Sequence, residues 1–214
     1  MKNLLEVECA DVTFGTRRVL NNIYIAVESN EIIGVVGCNG SGKSSLINMI
    51  FRQQMSKLPT ARLNGSPIKS SGSISVIRYA PQSFFTPAHL KLKQLFDDYD
   101  IDSDLFVHYF NDFKCLLSAR MKNLSIGERK IAELYAIIRS ESLFCLLDEP
   151  FTYLMPMHYQ KIKSLIRDEA IQGKGFLIAD NNYKNIEEIS DRLYLLENES
   201  LQVINGEKKP CFRR

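Results

Sequence analysis

Between residues 37 and 44 the chain reads Gly37-Cys38-Asn39-Gly40-Ser41-Gly42-Lys43-Ser44, the full pattern of a phosphate-binding loop. Small residues let a backbone wrap closely around a phosphate chain, and amides at a helix start offer it donors and a favourable dipole. Lys43 is expected to reach the β and γ phosphates of a nucleotide, and the Ser44 hydroxyl to ligate magnesium. Ser45, next in the chain, completes this candidate nucleotide-binding set. The bland alternative is a glycine-rich turn with a chance Gly-Lys-Ser. Its flanks argue against that: the apolar run Glu31 to Val36 precedes the loop, and a helical pattern with Leu46, Ile47 and Ile50 on one side begins at Gly42.

A second constellation, Leu143-Phe144-Cys145-Leu146-Leu147-Asp148-Glu149-Pro150, is an apolar run ending in two carboxylates. Short, continuously apolar runs suit strands buried on both faces of a parallel sheet. Ligands of open α/β sheets bind beyond the carboxyl ends of the strands, so both acids are expected near the phosphates. Asp148 then suits magnesium, and Glu149 is placed to polarise an attacking water. Taken alone, Asp-Glu-Pro after a strand reads as a solvated loop start; the phosphate loop tips the balance to catalysis.

Ser125-Ile126-Gly127-Glu128 stands before a helix pattern carrying Ile131, Leu134, Tyr135 and Ile138, and Ser-x-x-Glu there is a capping box. The functional reading makes Ser125 and the amides of this helix start, through Gly127 and Glu128, a second anion site facing a γ-phosphate across a dimer interface.

The elements that must position these groups can be read along the chain. Leu4 to Cys9 and Val19 to Val27, around a Phe14-Gly15 turn, predict an antiparallel piece. Residues 59 to 72 read as turns leading to a strand at Ser73 to Tyr79, and residues 83 to 123 as a small helical subdomain rich in aromatics. A helix at His158 to Ile171, a strand at Gly175 to Ala179 and closing strands at Asp191 to Ile204 complete the order. Apolar strands alternating with helices imply an α/β fold, a P-loop NTPase core with a mainly parallel sheet.

At 214 residues, without internal repeats, residues 1 to 214 are expected to form one domain. A net charge of +2 leaves no footprint for nucleic acid, and none is expected as a partner. Cys9, Cys38, Cys115, Cys145 and Cys211 lack metal-ligand spacing, which argues against zinc and for reduced thiols in the cytoplasm. No signal-like stretch opens the chain and no run approaches about 18 apolar residues, so membrane association is expected only through a partner. Asp97, Asp98, Asp100, Asp102 and Asp104 invite a calcium reading, but Leu105 and Asn111 stand where that loop needs Gly and Glu. A solvated acidic turn explains them. His89, His108 and His158 share no ligand spacing, and the basic end from Lys208 to Arg214 reads as a lipid-facing or simply soluble terminus.

The order of these motifs resembles the ATP-binding cassette of ABC transporters, over nearly the whole chain. The resemblance implies ATP and magnesium as ligands, and it makes Gly37 to Ser44 the Walker A loop and Leu143 to Pro150 Walker B. It places Phe14 against adenine and Gln82 in the Q-loop, sensing magnesium and the membrane partner. Leu124 to Glu128 is similar to the signature usually written LSGGQ. It further implies a homodimer or heterodimer of cassettes, closing head to tail at the inner face of the membrane beside a separate transmembrane subunit. The aromatic segment after Gln82 corresponds to the subdomain whose groove receives a helix of that subunit. Most of its aromatics are expected to form its own core, with Phe84 and Phe85 the candidates to line the groove.

Four positions, in three motifs, depart from the family pattern. Ile126 and Glu128 replace glycine and glutamine in the signature, Met155 replaces the D-loop aspartate, and Asn181 replaces the switch histidine. A thioether accepts hydrogen bonds only weakly, and an Asn amide donates to a γ-phosphate without shuttling a proton. Losing one preorganised donor lowers rates by about 100-fold to 1,000-fold, so slow hydrolysis with retained ATP binding is expected. Two rival readings are a nucleotide-gated regulatory module with little turnover and a soluble ABC protein acting on nucleic acid or ribosomes.

Overall fold

The structure, a computed structural model, describes residues 2–14, 17–53, 61–68 and 76–204. Two sheets organise them. One is antiparallel, built from β1 (Leu4–Phe14), β2 (Arg17–Glu28), β4 (Ala61–Leu63) and β5 (Ser66–Pro67) in the order β2-β1-β4-β5. Its inward face is read directly from alternation: Leu5 pairs with Val27 and Val7 with Ile25, all buried, while Tyr24 on the other face is exposed.

The second sheet holds β3 (Ile32–Val36), β6 (Ile77–Ala80), β7 (Phe144–Asp148), β8 (Gly175–Asp180), β9 (Arg192–Glu197) and β10 (Ser200–Val203). The order is β10-β9-β3-β8-β7-β6, parallel throughout except where β10 pairs with β9. Every residue of β3, β7 and β8 is buried, as a parallel sheet covered on both faces requires. Alternation along β3 divides the two layers. Ile33 and Val35 join Leu46, Ile47 and Ile50 of α1 (Lys43–Gln53) and the antiparallel sheet, whereas Ile32 and Val36 join α4 (Ile126–Arg139) and α5 (Pro156–Ile171).

Between β6 and α4 lie α2 (Leu92–Asp98), α3 (Ser103–Tyr109) and 3-10 turns at Asn111–Leu116 and Met121–Asn123. Phe96, Phe106, Phe110 and Phe113 are buried together around Tyr135 of α4, with Phe106 4.8 Å from it edge-on. They form the lobe's own core, as expected. Asp102 caps α3, its carboxylate accepting from the Asp104 amide at 2.8 Å, which puts the acidic run to structural use.

The first strands run longer than the sequence predicts, and the β4–β5 hairpin and α6 (Tyr183–Glu187) were not expected. Elements of two to five residues carry too little periodicity to be seen. Residues 73–75 of the strand predicted at Ser73 to Tyr79 fall outside the described residues, and within them β6 spans Ile77–Ala80. Gly15, Cys211 and the basic end also lie outside them.

Candidate functional site

The strand order brings the chemistry together. β3 delivers the phosphate loop at its carboxyl end, β7 delivers Asp148 and Glu149, and β8 between them delivers Asp180 and Asn181. They surround a cavity of about 540 Å³ lined by Asn39, Gly40, Gly42, Lys43, Ser44, Ser45, Gln82 and Glu149, with Val19 of β2 closing one side. Val19 carries no motif signal. Its contact with the loop accounts for Gly42, which has φ +109 and whose added Cβ would lie 2.9 Å from Val19 Cγ1.

Lys43 is buried, and its ammonium donates to the carbonyls of Gly37 at 2.9 Å and Cys38 at 3.1 Å. Burial lowers its pKa, partly offset by the charges of Glu149, Asp180 and Asp148. The Leu46 amide closes on the Gly42 carbonyl at 2.8 Å, so the amides of the first turn of α1 are the ones a helix leaves for a ligand. Cys38 and Asn39 are exposed at the loop's rim, and Ser41 turns its hydroxyl inward without a partner.

Ser44 donates its hydroxyl to Asp148 Oδ1 at 3.1 Å. Burial raises the Asp148 pKa, and the Ser44 hydroxyl acts against that shift. Two hard oxygens at this separation suit neighbouring corners of an octahedral magnesium site, where bonds of about 2.0–2.1 Å place adjacent ligands about 3 Å apart. The residues present therefore fit the ion. Among the described residues no group of three His, Cys, Asp or Glu could hold a metal.

Glu149 has φ 45, a left-handed conformation that a non-glycine residue adopts at a strain of about 1–3 kcal/mol. Its amide is fixed to the Ala179 carbonyl at 2.8 Å. Two donors meet on one carboxylate oxygen: Gln82 Nε2 at 2.8 Å and Thr152 Oγ1 at 3.2 Å, both on Oε2. Thr152 was not singled out from the sequence, although it lies three positions after the acid. Gln82, expected beside the metal, has its amide on the Glu149 carboxylate, with Asp148 the adjoining residue.

Asn181 donates to Asn39 Oδ1 at 3.1 Å, so the switch position touches the phosphate loop. Its neighbour Asp180, also unforeseen, is buried, with Oδ1 accepting from the Asn182 amide at 2.8 Å and Oδ2 lacking a partner. Burial pushes its pKa up to about 6.

The capping box is formed in full: the Ser125 hydroxyl accepts from the Glu128 amide at 3.2 Å, and the Glu128 carboxylate accepts from the Ser125 amide at 2.7 Å. Ser125 and Ile126 face outward at the start of α4. Gly127 allows a close approach, since an added Cβ would lie 3.1 Å from the Tyr153 carbonyl, a tight contact. Signature and D-loop therefore touch.

Met155 is the N-cap of α5 with extended backbone, and its exposed side chain makes no capping bond. Met155→Asp supplies an acceptor and a charge suited to the helix dipole. The expected gain is about 1 kcal/mol, a melting temperature about 2–4 °C higher, read by thermal unfolding; no rise contradicts the capping assignment.

Phe14 ends β1, but its side chain lies outside the described residues. Phe85 is half-buried, packing against the core 6.4 Å from Tyr99, while Phe84 lies under the Arg129 guanidinium and 6.3 Å from Tyr153. His158 is buried; His89 and His108 are exposed.

Among solved structures, an ATP-binding subunit of an ABC transporter superposes with a TM-score of 0.82 at 19% identity, covering 95% of this chain and 90% of that one. A nucleotide-free ATP-binding cassette from an ABC transporter gives 0.72 at 20%, covering 96% and 92%. Both share the fold. The lipopolysaccharide export system ATP-binding protein LptB of Haemophilus influenzae is 27% identical over 91% of this chain and 87% of its own length. The branched-chain amino acid transport ATP-binding protein BraG of Pseudomonas aeruginosa is 23% identical over 91% and 89%. The family model described as ABC transporter matches residues 20–152, from the second strand through Walker A, signature and Walker B. With that match across the sequence motifs, and the acids of β7 standing beside the phosphate loop of β3, the chain belongs to the ABC transporter family as one of its ATP-binding cassettes.

Proposed function

We propose that the chain is the ATP-hydrolysing subunit of an ABC transporter, closing head to tail on a second cassette and driving a separate membrane-spanning partner. The convergence of Lys43, Ser44 and Glu149 on one cavity, with Asp148 bonded to Ser44, carries this reading.

First-turn amides of α1 bind the phosphate oxygens, and the Lys43 ammonium exchanges its loop carbonyls for oxygens of the β and γ phosphates. Ser44 and Asp148, with Gln82 nearby, would hold magnesium, which would supply positive charge against those phosphates. Glu149 takes a proton from water through the carboxylate oxygen that Gln82 and Thr152 leave free. The water oxygen attacks the γ-phosphorus as the bond to the β-bridging oxygen breaks, leaving ADP and phosphate. Asn181 donates to a γ-phosphate oxygen and Phe14 stacks on adenine. The helix start at Ser125, with Gly127 and Glu128, faces the nucleotide held by the other cassette, which is a second copy or a relative of this chain.

LptB and BraG are named for unlike cargoes, so cargo choice is assigned to the membrane partner. Among the described residues no helix is long and apolar enough to cross a membrane. The uncapped Met155 and the Asn181 switch favour a second reading, a gated module that closes on ATP and turns over slowly. Single-turnover measurement separates the two.

Titration calorimetry with ATP and magnesium is expected to show binding that Lys43→Ala abolishes, and purification from native membranes to recover a membrane-spanning protein. Absence of heat, or recovery of RNA in place of that protein, overturns the reading.

A further inference from the structure

Residues 81–86, which follow β6, adopt no regular structure, yet their backbone polar groups find partners on one face of α4. Lys130 Nζ donates to the carbonyls of Pro81 at 3.0 Å and Gln82 at 3.3 Å. Glu133 accepts from the amides of Phe85 at 3.2 Å and Thr86 at 3.1 Å. Arg129 donates to the Thr86 carbonyl, pairs with Glu133 at 3.1 Å and places its guanidinium 4.5 Å from the centre of the Phe84 ring. The shape of this loop is thus imposed by α4, whose first residues carry the signature.

Lys130 is only 2% exposed, and a buried ammonium is costly unless its donors are used. Burial lowers its pKa, with Glu133 the main opposing charge. Its neighbours Ile131 and Leu134 pack the same helix into the core without polar groups, so packing alone does not call for a lysine here. What the ammonium holds is the backbone of the residue whose side chain meets the base: Gln82 Nε2 lies 2.8 Å from Glu149 Oε2.

We infer that Lys130 is a positioning residue for hydrolysis: by gripping the Pro81 and Gln82 carbonyls it sets Gln82 against Glu149 and couples that contact to the helix beginning at Ser125. The inference rests on the proposed role of Glu149 as the base. Displacement of a ligand at the start of α4 is then transmitted to the base through a buried side chain bonded to the backbone of residues 81 and 82.

The test is Lys130→Met, which keeps an unbranched stem and removes the donors. Turnover is expected to fall about ten- to hundredfold with KM and ATP affinity unchanged, the size of loss that misplacing a catalytic group produces. Gln82→Ala lowers turnover by itself, and adding Lys130→Met to it is expected to cause no further loss, because both act through one contact. Lys130→Arg, which retains donors, is expected to restore most of the rate. Without nucleotide, hydrogen exchange at the Phe85 and Thr86 amides is expected to speed up in Lys130→Met. If that variant does not fold, Lys130→Gln, with an amide donor on a shorter stem, is read by the same two measurements. Unchanged turnover, losses that multiply in the double variant, or unaltered exchange overturns the inference. A wild-type rate indifferent to Glu149→Gln sinks the underlying assignment of the base instead.

Discussion

Glu149→Gln is expected to bind ATP as the wild type does and to hydrolyse it about 10²- to 10⁴-fold more slowly, the usual contribution of a positioned general base. The substitution preserves size and the local contacts. The amide oxygen can still accept from Gln82 and Thr152, which meet on a single oxygen of the acid. What is lost is the second carboxylate oxygen, since an amide nitrogen cannot accept the proton of an attacking water. The phosphate loop is untouched, so affinity is retained. Phosphate release under saturating ATP with magnesium, together with calorimetric binding, checks both halves. Brisk turnover by the variant would remove Glu149 from the mechanism.

Asn181→His is expected to raise turnover, by up to about 100-fold, with little change in ATP affinity. Asn181 lies at the end of β8, close enough to the phosphate loop to donate to Asn39 at 3.1 Å, so a side chain here can reach a γ-phosphate. A preorganised donor to developing charge is worth about 100-fold to 1,000-fold, and the existing amide already supplies part of it. Imidazole adds the capacity to carry a proton. Steady-state hydrolysis at matched ATP saturation decides the matter. An unchanged rate would show that the native Asn is not what slows this cassette.

Asn181→His probes a departure from the family pattern, whereas Glu149→Gln probes a position that keeps it. With Met155 failing to cap α5 and Asn181 holding Asn39, the groups expected to report nucleotide across a dimer are the ones altered, while Lys43, Ser44, Asp148 and Glu149 keep their arrangement. A heterodimer with a relative carrying the aspartate and histidine would restore one complete composite site.

The sequence by itself determined the phosphate loop, the twin acids of β7 and the capping box of α4, because each is a contiguous signal whose physics is local. A glycine-rich turn between strand and helix, an apolar run ending in carboxylates, and Ser-x-x-Glu before a helical period each specify their own geometry. Only the tertiary structure decided that Gln82 meets Glu149, 67 positions away, that Asn181 meets Asn39 across 142, and that Lys130 holds Pro81 across 49. Short irregular segments have no periodicity to announce them. Their buried backbone groups must still be paired, and in residues 81–86 the partners come from a distant helix, so shape and function there are set by long-range hydrogen bonds that a linear reading does not contain.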